Sequence, residues 1–189
     1  FDDAQRVLAA LGEIDLPRPL ILCIGPDDSQ LILQAMRLGA CEYIAPGPDE
    51  KLQLLTSVAR LAKVHSGSSP TPRSPLVAVT GSKGGVGASF VSCQLGASLA
   101  RFGSRPVLVD GQFRHGDIAL YLDVAPDYTF ASLANREAID PTFLYTTLVR
   151  HESGVHVLAT PRHPEDADAI TIDCVKGVLN LLRHEFDWV

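Results

Sequence analysis

Short, continuously apolar runs alternate along the chain with longer stretches in which apolar residues recur every three or four positions. Residues 19–25 form the first apolar run, which is typical of a strand covered on both faces in a parallel sheet. Residues 31–38 have helical spacing, follow cap-forming oxygens at residues 26–29 and stop at Gly39. The same patterns predict a second strand over residues 42–45 and a second helix over residues 50–64.

A change in composition separates this front part from the rest of the chain. Residues 66–75 are dominated by Ser and Pro and carry no core-forming side chain, which predicts an extended linker. Beyond it, a strand over 76–80, a helix over 88–102 and a strand over 106–110 form one βαβ unit. Later helices are predicted near residues 130–134, 141–149 and 165–183, and a strand at 155–159.

This alternation predicts an α/β fold with a mostly parallel sheet and helices on both faces. We expect a front domain over residues 1–65, the linker, and a second domain over residues 76–189. The residue pattern predicts that each end of the chain falls inside an element. Residues 1–11 indicate the middle of an amphipathic helix, and residues 186–189 indicate the opening of a buried strand.

Composition narrows the classes of function. The 189 residues are 46% hydrophobic, enough for a core, and 16 Lys and Arg against 22 Asp and Glu argue against nucleic acid as the main partner. No apolar run reaches the roughly 18 residues of a membrane span, so we expect a soluble, cytoplasmic segment. The cysteines are expected to be reduced core residues, and the histidines to occupy surface or turn positions without metal-ligand spacing. These are Cys23, Cys41, Cys93 and Cys174, and His115, His151, His156 and His163 among six histidines.

A glycine-rich loop joins the strand at residues 76–80 to the following helix. Glycine tolerates positive φ and has no side chain to block an anion, and the helix presents free amides and the positive end of its dipole. Ser89 occupies the position at which a hydroxyl ligates Mg²⁺ in P-loop proteins. The predicted nucleotide-binding residues are Ser82, Lys83, Gly84, Gly85, Val86, Gly87, Ala88, Ser89 and Phe90. The alternative is a turn that only connects strand to helix.

The loop departs from the general pattern G-x-x-x-x-G-K-[ST], because Ser82 replaces the first Gly and Ala88 replaces the Lys. Its sequence, Lys-Gly-Gly-Val-Gly-x-Ser from Lys83 to Ser89, resembles the deviant Walker A loop of the MinD/ParA family. That resemblance implies ATP and Mg²⁺ as ligands. It also implies a homodimer formed over nucleotide, in which the early Lys83 reaches the phosphates bound to the partner chain and acts as a catalytic residue.

The resemblance continues into the next strand. Val107 to Asp110 looks like the family's second strand, whose terminal Asp holds a Mg²⁺-bound water. Asp110 is therefore predicted to be a catalytic and metal-site residue together with Ser89, and its alternative is a cap or turn residue after a strand. The family's Walker B Asp would follow Val189, and Asp187 is expected to be a solvent-facing residue at the strand entrance.

Two substitutions predict slow or negligible hydrolysis. The segment from Asp110 to Asp123 looks like the pattern Asp-x-Asp-x-x-x-Gly-Asp of pilus-assembly relatives of the CpaE/TadZ kind, with Gln112 in place of the second Asp. An amide holds a water but does not act as a base. Ala88 also lacks the positive charge that stabilises a phosphoryl-transfer transition state.

The front domain has a resemblance of its own. Residues 35–44 look like the last helix–strand junction of response-regulator receivers, with Pro46 where receivers have the Lys that clamps the aspartyl phosphate. This implies a receiver-like, flavodoxin-like remnant used for docking. A receiver-like part, a linker and a deviant Walker A domain form the arrangement of CpaE/TadZ proteins, which position tight-adherence (Flp) pilus machinery at a cell pole.

That arrangement implies pilus secretion and assembly proteins as partners, a cytoplasmic location at the pole on the inner membrane face, and no DNA partner. A peripheral membrane contact is left open. Two alternatives stand beside it. The chain is an active ParA/MinD-type partition ATPase, against which Ala88 and Gln112 argue, or it is a nucleotide-free scaffold with a vestigial loop.

Overall fold

The computed structural model describes residues 20–48, 53–54, 56–58, 74–134 and 139–189. The predicted linker and most of the helix predicted over 50–64 lie outside these residues, although 53–54 and 56–58 are helical. The chain divides into two compact units, Phe1–Ala88 and Ser89–Val189. Each unit is described by itself, and the domain boundary expected over residues 66–75 stays a prediction.

The first unit contains a parallel three-stranded sheet. Its elements are β1 (Leu20–Ile24), α1 (Ser29–Arg37), β2 (Glu42–Ile44) and β3 (Val77–Gly81), and the strand order is β2-β1-β3. Helix α1 begins where the Asp28 carboxylate accepts the N–H of Gln30 at 2.8 Å, which satisfies a donor that the first turn leaves without a partner. It ends before Gly39, whose φ of +97° suits glycine.

Strand β3, which precedes the glycine loop, pairs with the central strand β1. The register runs from Leu20 opposite Val77 to Ile24 opposite Gly81. The predicted second domain therefore contributes a strand to the same sheet as the predicted front strands. Ile21, Cys23 and Ala35 are buried together in this unit.

The second unit contains the remaining elements. They are α2 (Ala88–Arg101, starting at the last residue of the first unit), β4 (Val107–Val109), α3 (Ile118–Tyr121), α4 (Phe130–Ala134), α5 (Pro141–Thr147), β5 (Val149–Arg150), β6 (His156–Leu158), a 3₁₀ helix (Pro164–Ala169) and α6 (Ile172–Glu185). Strands β4 and β6 are parallel, and β5 pairs antiparallel with β6. The α/β class and the parallel sheet are thus confirmed, whereas α3 and the short edge strand β5 were not predicted.

The prediction of a single helix over residues 165–183 is wrong. A 3₁₀ helix occupies Pro164–Ala169, and α6 starts afresh at Ile172. The break occurs because Thr171 is extended and its hydroxyl accepts the N–H of Cys174 at 3.2 Å, which is an N-cap arrangement. None of the described helices is long and apolar enough to cross a membrane.

The core of the second unit packs α4, α5 and α6 against β4 and β6. Phe130 is fully buried, and its ring meets that of Phe113 edge-on at 4.9 Å between centroids. Trp188 forms an isolated parallel bridge with Pro106; the buried strand expected to open at residues 186–189 stays a prediction. The core side chains are Val107, Phe130, Leu133, Leu144, Leu158, Val178, Leu182 and Phe186.

The cysteine prediction is confirmed for two residues. Cys23 and Cys93 are buried, and burial raises the pKa of each thiol to about 11. In the case of Cys93 the negative charge of Asp110 adds to the same effect. At neutral pH both side chains are therefore protonated and behave as small apolar groups.

The prediction that the histidines lie at surface or turn positions is wrong for His156. This side chain is half-buried at the start of β6, with its ring 5.0 Å from that of Phe186. Burial lowers the pKa of His156, and the positive charges of Arg150 and Arg105 lower it further. Arg105 itself lies 5.5 Å above the Phe186 ring and 3.5 Å from the Tyr145 hydroxyl, which donates to Glu185.

Truncation of the core leucine Leu182 to Ala is expected to lower the free energy of unfolding by about 2–5 kcal/mol, because it leaves a cavity among packed side chains. Leu120 is the matched control, since it is 80% exposed and Leu182 is fully buried. Leu120→Ala should change the free energy by no more than about 0.5 kcal/mol. Urea unfolding followed by circular dichroism measures both, and equal losses would contradict the assigned core.

Acid should destabilise the protein through His156. Unfolded histidine takes up its proton near about pH 6.5, above the lowered pKa of the folded His156. As pH falls through this window, the unfolded state binds protons that the folded state does not, so the free energy of unfolding decreases. Wild type should therefore lose more stability than His156→Gln between about pH 7.5 and about pH 5 in urea unfolding. The exposed His163, changed to Gln, is the control and should follow wild type.

Candidate phosphate-binding site

The glycine loop folds back on the end of β3. A Cβ atom added to Gly81 would lie 2.7 Å from a methyl carbon of Val86 and 2.9 Å from the carbonyl oxygen of Lys83. These separations are shorter than a side chain allows, so only glycine fits where the loop returns over the strand. The loop thus has a tight, defined conformation at its beginning.

The middle of the loop contains two glycines in the left-handed region. Gly85 has φ of +77° and Gly87 has φ of +89°. No heavy atom lies within 4 Å of a Cβ added to either residue, or to Gly84, among those that the structure describes. Backbone conformation, not crowding, therefore requires glycine at Gly85 and Gly87. Such a stretch turns successive amides toward one concave side, which is an arrangement that binds phosphate oxygens.

Helix α2 follows the loop and begins at Ala88. With 14 residues it is long enough to present first-turn amides and a positive dipole end to an anion. Ser89, its second residue, is half-buried, and Phe90 is 52% exposed. Lys83 is exposed. Backbone amides, a hydroxyl and a lysine are the kinds of group that bind a nucleotide triphosphate and its Mg²⁺ in P-loop proteins.

Ser82 differs from the other predicted loop residues, because its side chain is turned into the first unit. It is 4% exposed, and its N–H donates to the carbonyl oxygen of Ile24 at 2.8 Å. The Tyr43 hydroxyl lies 3.4 Å from its Oγ. Its hydroxyl is therefore an internal packing group, and this anchoring role was not expected from the sequence.

Asp110 is held tightly within the second unit. It is 3% exposed, and its two oxygens accept the N–H groups of Gln112 and Ile118, each at 3.1 Å. Burial raises the pKa of the carboxyl, and these two hydrogen bonds offset part of that effect. This geometry is the capping role that the sequence left as the alternative. Each carboxylate oxygen has a second lone pair, so the Mg²⁺-water role stays a prediction.

The sequence did not single out two residues that define the surroundings of Asp110. A Cβ added to Gly116 would lie 2.2 Å from an Asp110 carboxylate oxygen, so the carboxylate packs directly on this glycine. The Thr160 hydroxyl donates to the Gln112 carbonyl at 2.8 Å. Gly116 is the Gly of the pattern after Asp110, and this was its only signal in the sequence.

The loop after Asp110 is fixed at a further point. Arg114 donates to the carbonyl of Pro164 at 3.4 Å and forms an ion pair with Asp168, both in the 3₁₀ segment. The side chain of Gln112 is exposed. The side chain of Gln112 is thus presented on an ordered backbone.

The predicted residues fall into two groups. Ser82 to Ala88 form one loop in the first unit, whereas Ser89, Phe90 and Asp110 belong to the second. No group of three or more His, Cys, Asp or Glu side chains that suits a metal occurs in the described part of the chain. The Mg²⁺-site roles of Ser89 and Asp110 stay predictions.

A parallel strand, a loop with two left-handed glycines and a helix that begins at Ala88 follow one another in the chain, which is the order of elements in the P-loop class of phosphate-binding proteins. Similarity to known proteins agrees with this class. The chain is 31% identical over 118 residues to the septum site-determining protein MinD of Synechocystis, covering 60% of this chain and 42% of that protein.

Other relatives have the same character. An ATP-binding protein of Methanocaldococcus jannaschii is 25% identical over 114 residues, with 60% and 42% of the two chains covered. A putative tyrosine-protein kinase EpsB of Ralstonia nicotianae is 33% identical over 130 residues, with 63% and 16% covered. No protein-family profile matches the chain. The similarity supports the MinD/ParA superfamily, and the chain spans less than half the length of these relatives.

Gly116→Ala should destabilise the second unit by about 1–3 kcal/mol, because the new methyl group forces the Asp110 carboxylate away from its two amides. Gly111→Ala is the matched control, since no described heavy atom lies within 4 Å of a Cβ added there and its φ is not in the left-handed region. Thermal or urea unfolding measures the difference. Similar effects at both glycines would show that Asp110 is not the constraint at Gly116.

Proposed function

We propose that the chain binds ATP with Mg²⁺ at the loop from Ser82 to Phe90, as a MinD/ParA-like protein. The observation that carries the proposal is the pair of left-handed glycines, Gly85 and Gly87, directly before helix α2. Their amides and the helix end supply a positive electrostatic environment for the phosphates. The Ser89 hydroxyl, in the second residue of α2, would ligate Mg²⁺ beside them.

Lys83 is proposed to act across a dimer. Its side chain is exposed and precedes the two adjacent glycines at the start of the loop, so it is available to a second chain. A lysine delivered in trans would neutralise phosphate charge only when two nucleotide-loaded chains meet. Nucleotide would then control the monomer–dimer equilibrium by binding the dimeric state more tightly.

Turnover is proposed to be slow. Ala88 places a methyl group where P-loop enzymes have a lysine, and one such donor is worth about 3–4 kcal/mol of transition-state stabilisation in comparable sites. Gln112 offers an exposed amide, which orients water but takes no proton. The buried Asp110 already accepts two backbone hydrogen bonds. The bound nucleotide would thus act as a switch more than as a substrate.

The biological role that we propose is that of a CpaE/TadZ-type protein, which positions Flp pilus machinery at a cell pole in the cytoplasm. It is supported by the segment from Asp110 to Asp123, with Gly116 packed under Asp110, and by the segment from Ala35 to Ile44. Pilus assembly proteins would be the partners, and DNA would not. The second candidate is a ParA/MinD-type partition ATPase, which the similarity to MinD favours.

The test is calorimetry of the intact protein with ATP, ADP and Mg²⁺, combined with thermal unfolding. ATP at about one hundred times its Kd should stabilise the protein by about 2.7 kcal/mol. Lys83→Ala should abolish the increase in mass that ATP causes in gel filtration. Lys176→Ala, on α6, is the matched control and should leave both measurements unchanged.

The outcomes separate the candidates. Neither heat nor stabilisation with either nucleotide would refute ATP binding and favour the nucleotide-free scaffold. Phosphate release well above the Lys83→Ala background, increased by DNA or lipid, would favour the partition ATPase. Binding with an ATP-dependent mass increase and phosphate release near that background is the result expected of the positioning protein.

A further inference from the structure

The glycine loop is anchored at Ser82 by Ile24 and Tyr43, which lie far upstream in the sequence. The Ser82 N–H donates to the Ile24 carbonyl at 2.8 Å, which extends the pairing of β1 with β3 one residue beyond Gly81. Ser82 is 4% exposed. The first loop residue is therefore part of the sheet that β1 and β2 form, and its position depends on the end of β1.

Tyr43 of β2 completes this anchor. Its hydroxyl donates to the Pro26 carbonyl at 2.9 Å and lies 3.4 Å from the Ser82 Oγ. Strand β2 also fixes the turn after β1, because the Gly25 N–H donates to the Ile44 carbonyl at 3.2 Å. One tyrosine thus joins the turn after β1 to the beginning of the loop.

Gly25 makes the contact sterically specific. A Cβ atom added there would lie 1.9 Å from the Ser82 Oγ and 2.2 Å from the Tyr43 hydroxyl oxygen. Both atoms belong to partly or fully buried side chains, so neither can move aside into solvent without breaking the anchor. Only glycine at this position lets the serine and the tyrosine meet.

We propose that Tyr43 and Gly25 are positioning residues for the phosphate loop, so that the segment over residues 20–48 sets the affinity of the loop for nucleotide. This rests on the proposed ATP-binding function. Gly85 and Gly87 have left-handed conformations, which give the loop a concave shape for phosphate. The loop keeps this shape only if both of its ends are fixed. Helix α2 fixes one end, and the anchor at Ser82 fixes the other. Loosening the anchor adds an ordering cost to binding.

Tyr43→Phe removes the hydroxyl and keeps the ring. We expect the Kd for ATP with Mg²⁺ to rise about three- to tenfold, the factor that corresponds to one lost hydrogen bond. Tyr128→Phe, at an exposed tyrosine of the second unit, is the matched control and should not change the Kd. In a Ser82→Ala background the effect of Tyr43→Phe should be smaller, because the pair is already broken.

Limited trypsin digestion tests the anchor without nucleotide. Lys83 is exposed within the loop, and Arg162 is an exposed reference site elsewhere. Tyr43→Phe should accelerate cleavage after Lys83 by about the same three- to tenfold factor, since cleavage follows the population of the opened segment. Cleavage after Arg162 should keep its wild-type rate. Gly25→Ala should have a larger effect of the same kind.

The two readouts keep the proposals distinguishable. Failure of wild type to bind nucleotide would refute the proposed function, while digestion at Lys83 would still test the anchor. Unchanged cleavage after Lys83 in Tyr43→Phe would overturn the positioning role whatever the nucleotide result. Equal acceleration at Lys83 and Arg162 would also overturn it, because that pattern reports general loosening of the fold. If Gly25→Ala does not fold, the isosteric Tyr43→Phe decides.

Discussion

The loop between β3 and α2 depends on backbone conformations that only glycine adopts at little cost in free energy. Gly81 admits the returning loop, and Gly85 and Gly87 turn the chain through left-handed φ before helix α2. A side chain at the latter two would strain the backbone by roughly 1–2 kcal/mol each. No described atom lies within 4 Å of a Cβ added to Gly85 or Gly87, so backbone conformation alone requires glycine at these two positions.

Sequence patterns were sufficient for elements whose causes are local. The helix at Ser29–Arg37 has Asp28 as its cap and Gly39 after its end, and both signals stand in the sequence. The break before α6 was missed because apolar spacing continues through it, and only the cap at Thr171 reveals it. The edge strand Val149–Arg150 is too short for any periodicity. Its pairing with β6 depends on tertiary structure.

The loop residues could be identified from the sequence because the glycines, the lysine and the serine of the motif are close together in the chain. Their roles in binding stay predictions. The surroundings of Asp110 could not be identified in this way. Its capping bonds to Gln112 and Ile118 and its contact with Gly116 depend on how the chain turns after β4. The anchor of Ser82 on Tyr43 joins residues 39 positions apart, and no local pattern reports such a contact.

The place of β3 beside β1 has a consequence for how such chains can be recombined. The strand that leads into the glycine loop pairs with a strand of the upstream segment. The loop and the residues after it therefore cannot be transferred to another protein without that segment. Another upstream segment could replace this one only if it supplied a strand in the same direction and register, followed by a residue without a side chain at the turn. Without such a strand, the main-chain groups of β3 that now pair with β1 would form an open edge, which favours association with other chains.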